Sequence, residues 1–367
     1  ATGVLTLTGS ATVADYQAAL RSISYRNTSD HPSTATRTVS FTVSDGSATI
    51  LAATRDIAVT AVNDAPVVTT TVAPLVYTEN AAAAAIDTGL AISDADNTAL
   101  TGATVRISAN YANGQDVLAF VDANGITGSW NAATGVLTLT GSATVADYQA
   151  ALRSVTYRNT SDNPSTATRT VSFMVNDGSA DSAAATRDIA ITAVNDAPVV
   201  MATGTVLGTT ENDAATAVDP GLTVSDADNT LLAGATVGIS GNYMNGQDVL
   251  AFTDANGITG SWNAATGVLT LTGTATVADY QAALRSVTYR NTSDNPSTAT
   301  RTVSFSVDDG TASSLAATRD IVLTAVNDAP VLTATAGALN YTENAAATAV
   351  DAGMGLLDPD SPVLAGA

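Results

Sequence analysis

Carboxylates carry most of the chemistry available to this chain, and their spacing is regular. Asp94-Ala-Asp96 returns as Asp226-Ala-Asp228 and again as Asp358-Pro-Asp360, at a period of 132 residues. Asn63-Asp64, Asn195-Asp196 and Asn327-Asp328 keep the same period, as do Asp177 and Asp309, each followed by glycine. Glu79, Glu211 and Glu343 are the only glutamates among 34 acidic residues, and all three hold one repeat position. A solvated surface would scatter its acids between Asp and Glu. Calcium takes roughly six to eight oxygens from carboxylates, carbonyls and water in irregular geometry. An Asp-x-Asp turn can aim two carboxylates at one such ion, and a linker Asp nearby adds a third. Without a cation, two carboxylates about 4 Å apart repel by about 1 kcal/mol in water, and by more when partly desolvated. The same residues also read as a turn (Asp before Gly), a linker (Asn-Asp-Ala-Pro) and an exposed loop (Asp-x-Asp). Asp122-Ala-Asn-Gly125 and Asn113-Gly-Gln-Asp116 read as turns before they read as ion loops.

Composition narrows the chemistry further. The chain has 13 Arg, no Lys, no Cys, one His and a net charge of −21. Nucleic acid and anionic membrane surfaces need clustered cations, so neither is an expected partner. Without Cys there are no disulfides or thiolate zinc sites, and any stabilising metal must be held by oxygen. General bases and nucleophile activators are scarce, which argues against an enzyme. His31 stands where the other copies have Asn163 and Asn295, and reads as a surface substitution. Asn27, Asn159 and Asn291 open Asn-Thr-Ser sequences of the glycan-acceptor type, read here as turns.

The elements that must position these groups repeat with them. Ala1–Pro66 returns as Ala133–Pro198 with nine substitutions, and that segment returns as Ala265–Pro330 with eight. A period this long lets each copy bury its own core, so the repeats are expected to be domains. The expected breaks give an incomplete repeat at 1–63, full repeats at 64–195 and 196–327, and an incomplete one at 328–367. The sequence reads as a window cut from a longer array. Val171-Ser-Phe-Met-Val175 and Ile189–Val194 alternate apolar and polar residues, the period of a strand with one buried face. Asn124-Gly125, Asn256-Gly257, Asp45-Gly46, Asp177-Gly178 and Asp309-Gly310 read as tight turns. Many short strands between turn signals predict antiparallel sandwiches. One segment breaks the pattern: Thr144-Val-Ala-Asp147 is a capping box with Asp in place of Glu, and Tyr148, Ala151 and Leu152 share one face of the helix that follows.

With these tags in order, the chain resembles a bacterial cadherin-like repeat of the giant secreted RTX-type adhesins. The resemblance rests on Ser129-Trp-Asn-Ala-Ala-Thr-Gly-Val-Leu137, Val-Asn-Asp-Gly178, Val-Asn-Asp-Ala-Pro198, Glu79-Asn80 and Asp94-Ala-Asp96. It implies an all-β fold of tandem Greek-key β-sandwiches, each here with one short helix, and calcium in the junctions between repeats. Carried over by residue, the central junction would use Glu79, Asn195, Asp196, Asp226, Asp228 and Asp309. The preceding one would use Asn63, Asp64, Asp94, Asp96 and Asp177, and the following one Glu211, Asn327, Asp328, Asp358 and Asp360. The family's Leu-Asp-Arg-Glu motif has no match, its place taken by the helix at 144–154. One or two ions per junction are therefore expected rather than three.

The function this implies is a non-enzymatic, extracellular, calcium-stiffened spacer or stalk in a large surface adhesin. Its expected partners are calcium ions and neighbouring repeats. A different class of reading is a subunit of an ordered extracellular filament or sheath, with lateral copies of itself as partners. A carbohydrate-binding module is a third, and would need an exposed aromatic platform. The only tryptophans, Trp130 and Trp262, lie in segments where burial is expected.

Overall fold

A computed structural model of the chain describes residues 3–49 and 51–366. It falls into two compact units, Ala1–Ala193 and Val194–Ala367. The first opens with helix α1 (Val13–Arg21) and a hairpin of β1 (Arg37–Phe41) and β2 (Ala53–Ile57). It continues with β3 (Val67–Thr69), β4 (Leu75–Thr78), β5 (Ala84–Ala85), β6 (Ala91–Ser93), β7 (Ala99–Ala109) and β8 (Asp116–Ala119). Then come β9 (Thr127–Asn131), β10 (Val136–Thr144), helix α2 (Val145–Ser154), β11 (Thr156–Asn159), β12 (Arg169–Asn176) and β13 (Ala185–Thr192).

Strands β4-β13-β12-β7-β10-β9 form one sheet and β5-β11-β8 a second, with β3 paired to β6. Every pairing is antiparallel except β13 with β4. The chain is thus all-β, a sandwich whose connections cross between sheets. Alternation is the reason it closes: Val171, Phe173 and Val175 point inward from β12, while Thr170, Ser172 and Met174 stay partly solvated. They meet Val105 and Ile107 of β7, Leu137 and Leu139 of β10, and Leu118 and Tyr157 of the second sheet in one core. Tyr77 and Tyr157 meet edge to face at 5.1 Å.

The expected helix forms. Thr144 Oγ1 accepts from the Asp147 N–H (3.1 Å) and donates to its carboxylate (2.6 Å). Tyr148, Ala151 and Leu152 are its buried face, and it packs on β6, β7 and β10. From its partly buried flank Gln149 Oε1 accepts the Ile92 N–H (3.0 Å), and Arg153 Nε donates to the Leu90 carbonyl (2.7 Å). One glycine is obligatory here. Gly141 sits at φ +132°, beside the bulge in β10, and a Cβ there would lie 2.2 Å from the Gly125 carbonyl oxygen in the Asn124-Gly125 turn.

The second unit repeats this order 132 residues later, with the same six- and three-stranded sheets and its own core around Phe305, Leu269 and Tyr289. It ends in a short pair, Val331–Thr333 with Gly355–Leu357. No helix of the described residues is long and apolar enough to cross a membrane.

Candidate metal centre at the repeat boundaries

The two buried glutamates sit where the last long strand of each unit ends, and the Asp-x-Asp loops gather beside the Asp-Gly turn at that strand's start. Glu79 follows β4, and its N–H donates to the Thr192 carbonyl (2.9 Å) at the end of β13; the Glu211 N–H does the same to Thr324 (3.0 Å). The parallel β4–β13 pairing therefore places each glutamate beside the exit into the Asn-Asp-Ala-Pro tag. Both side chains are buried, at 5% exposure, whereas Glu343 is exposed.

In the first unit, Asn63, Asp64, Asp94, Asp96 and Asp177 come together. The Asp64 N–H donates to Asp96 Oδ2 (2.8 Å), and Asn63 Nδ2 donates to Asp177 Oδ2 (2.8 Å). Asp94 Oδ1 caps its own turn, accepting from the N–H groups of Asp96 (3.0 Å) and Asn97 (2.7 Å). The second unit repeats the arrangement. Asp196 N–H donates to Asp228 Oδ2 (2.9 Å), Asn195 Nδ2 to Asp309 Oδ2 (2.8 Å), and Asp228 and Asn229 N–H groups to Asp226 Oδ1. Farther on, the Asp328 N–H donates to Asp360 Oδ2 (2.7 Å), while Asn327 Nδ2 turns to the Asp328 carbonyl (2.9 Å).

These carboxylates divide their oxygens. One oxygen of each Asp-x-Asp residue is tied to backbone N–H. Among the described residues, Asp94 Oδ2, Asp96 Oδ1, Asp226 Oδ2, Asp228 Oδ1, Asp328 Oδ2, Asp360 Oδ1 and Glu211 Oε2 are buried with no hydrogen-bond partner. A buried carboxylate oxygen without a donor is costly, and a cation relieves the cost. All the donors are hard oxygens, so the set suits calcium.

Asp177 and Asp309 differ. Their Oδ1 atoms cap the following turn, and their Oδ2 atoms accept side-chain amides. Burial works to raise the Asp177 carboxyl, but hydrogen bonds from Asn63, Ala180, Ser179 and Asn97 outweigh it and hold it below its ordinary value. Asp309 is held low in the same way by Asn195, Ala312, Thr311 and Asn229. Asp328 moves the other way. Burial raises it, and the negative charges of Asp360, Asp294 and Asp358 add to the rise.

Asp294 is a residue the sequence reading passed over. It closes the Asn291-Thr-Ser-Asp294 loop, read there as a turn of the glycan-acceptor type. Asn212 Nδ2 donates to Asp294 Oδ1 (3.1 Å), and Asn295 Nδ2 reaches the Pro359 carbonyl (3.1 Å) between Asp358 and Asp360. Its counterpart Asp30 lines a cleft with Asp64 and Asp94. The signal was present in the sequence: Asp30, Asp162 and Asp294 hold one register beside the variable His31, Asn163 and Asn295.

What fixes that loop is a buried polar node. Arg169 and Asp116 pair at 3.2 Å with both side chains fully buried, and Arg301 and Asp248 repeat the pair. Asp116 also accepts from the Tyr157 hydroxyl (2.6 Å) and Asn159 Nδ2 (2.7 Å). Burial, then the hydrogen bond to Asp116 and its charge, push the Tyr157 hydroxyl well above its usual range. Asn159 Oδ1 accepts the Ser161 N–H (2.9 Å), anchoring the loop. Asn113-Gly-Gln-Asp116 thus ends in a core ion pair, and the buried amides of Asn159 and Asn291 are engaged there. Trp130 is half-buried, edge to face with Tyr111 at 6.2 Å.

No family model matches the chain. Over 107 residues it is 42% identical to halomucin of Haloquadratum walsbyi, a match covering 28% of this chain and 1% of that protein. Among solved structures it is similar to protocadherin gamma B2 extracellular cadherin domains 1–5, at 15% identity and a TM-score of 0.29. That alignment covers 89% of this chain and 52% of the other. Human protocadherin-24 EC1-2 aligns at 14% identity and a TM-score of 0.28, over 71% of this chain and 100% of that one. The chain thus spans about 1% of halomucin's length and about half of the protocadherin gamma B2 chain.

Proposed function

We propose that the chain is a non-enzymatic extracellular spacer, an array of sandwiches stiffened by calcium at its repeat boundaries. The observation that supports this most is a division of labour in Asp94, Asp96, Asp226, Asp228 and Asp360: one carboxylate oxygen is held by backbone N–H, the other is buried without a donor. At the last boundary Glu211, Asp294, Asp328, Asp358 and Asp360 would hold the ion. At the first, Asp64, Asp94 and Asp96 would, with Asp30 across the cleft. Calcium would supply the positive charge these oxygens lack, and would draw loops from consecutive repeats onto one centre. Asn63, Asn195, Asp177 and Asp309 serve better as organisers than as ligands, because amide and carboxylate already satisfy each other. The 132-residue periodicity favours a role in length and stiffness, since every copy carries the same surface. The charge of −21 and the halomucin similarity are consistent with a large surface-exposed protein.

Calorimetric titration and thermal melting of the chain with calcium and with chelator test this reading. An ion that binds only the folded, docked state stabilises by about 2.7 kcal/mol at a hundredfold excess over its dissociation constant. Replacing Asp358→Asn and Asp360→Asn together should lower the calcium stoichiometry and leave the β-sheet signal unchanged. Identical melting curves and scattering profiles in calcium and in chelator would refute the proposal.

A further inference from the structure

In both complete repeats the Asn-Asp tag is tied to the repeat that follows it by a network of side-chain amide and carboxylate hydrogen bonds. Asn97 Nδ2 donates to Asn63 Oδ1 (2.7 Å) and to Asp177 Oδ2 (3.2 Å), while Asn63 Nδ2 donates to the same Asp177 oxygen (2.8 Å). In the second unit Asn229 Nδ2 makes the same pair of bonds, to Asn195 Oδ1 (2.7 Å) and Asp309 Oδ2 (3.3 Å). The carboxamide nitrogen, carried at the end of the Asp-x-Asp loop, thus binds oxygens of two other segments, the tag and the Asp-Gly turn. It brings two N–H donors to a place that would otherwise collect acceptors. The backbone bond from the tag Asp to the Asp-x-Asp loop lies alongside. In the third copy the equivalent residue is Ser361, which has no amide to offer.

We infer that Asn97 and Asn229 are positioning residues: each amide acts as a fixed, metal-independent latch that docks the tag on the following repeat. The tag then moves with that repeat whether or not calcium is present. Calcium, on the reading above, adds only the attachment to the preceding repeat. Bending in the metal-free array therefore occurs before the tag, not within it.

Hydrogen exchange with mass-spectrometric readout on the whole chain in chelator tests the latch. Peptides spanning the tags differ in mass because Ala58-Val-Thr-Ala, Ala190-Ile-Thr-Ala and Val322-Leu-Thr-Ala precede them. The Asp196 amide should exchange about tenfold more slowly in the wild type than in Asn229→Ala, with the sandwich strands equally protected in both. Asn229→Asp preserves size and replaces the donor with a second carboxylate facing Asp309. It should expose the Asp196 amide in chelator at least as much as Asn229→Ala does. Equal exchange of the tag in wild type and both variants would overturn the inference, and so would wild-type protection in Asn229→Asp. Failure to bind calcium would sink the proposed function and leave this result standing, because the measurement is made in chelator.

Discussion

Asp248→Asn is the sharpest test of how the core sets up the boundary. Asp248 accepts four hydrogen bonds: Tyr289 Oη (2.6 Å) and Asn291 Nδ2 (2.7 Å) on Oδ1, Met244 N–H (2.8 Å) and Arg301 Nε (3.2 Å) on Oδ2. An asparagine must turn its NH2 toward one of these pairs, placing donor against donor. It also leaves the Arg301 charge buried without its counter-charge, both side chains being fully buried. Breaking one partner of a buried pair costs about 3–5 kcal/mol. At about 3 °C per kcal/mol for a domain of this size, the second repeat should melt roughly 10–15 °C lower. The first repeat keeps its Asp116–Arg169 pair, so calorimetry of the variant should resolve two transitions where the wild type shows near-coincident ones. Adding Arg301→Met should restore part of the loss, since it removes the stranded charge. The same substitution frees Asn291, whose Oδ1 holds the Ser293 N–H (3.0 Å) ahead of Asp294, so calcium uptake at the last boundary should weaken as well. A shift below about 3 °C would mean that the pair contributes less than about 1 kcal/mol, and the reasoning would fail.

Two further outcomes follow from the boundary geometry. Asp294→Ala should weaken calcium binding at the last boundary and leave melting in chelator unchanged, because Asp294 is exposed and outside the core; a variant with wild-type calcium affinity would remove Asp294 from the site. Asp177 and Asp309 have folded-state carboxyls held below their ordinary value of 3.8. Their stabilising effect is therefore present above that value and lost as pH falls through the depressed one. Melting temperature measured in chelator should drop with acidification below about pH 4, and drop less in Asp177→Asn/Asp309→Asn than in the wild type. Parallel pH profiles would show that the two groups are not linked to folding.

Residues 1–20 are identical to 133–152, and the two copies separate what the sequence determined from what the tertiary structure decided. The helix forms in both places, as α1 and as α2, each with its Thr cap accepting from an Asp N–H three residues on. A helix satisfies its hydrogen bonds within its own segment, so periodicity and a capping box suffice to reveal it. The strand does not form twice. Val136–Thr144 is β10, bonded to β7 and β9 with Leu137 1% exposed, whereas the same residues near the start of the chain are irregular and Leu5 is 66% exposed. A strand's bonds and burial come from partners distant in the chain, and pattern shows only that it can accept them. The candidate site divides along the same line. The Asp-x-Asp pairs, the Asn-Asp tags and the glutamates were legible because they recur at one spacing. Three things were not: that Asp116 belongs to the core, that Asp294 faces the next Asp-x-Asp loop, and that Asp177 is held by amides. Each depends on which loops the two sheets bring to the same end, a matter of strand order that no local sequence pattern encodes.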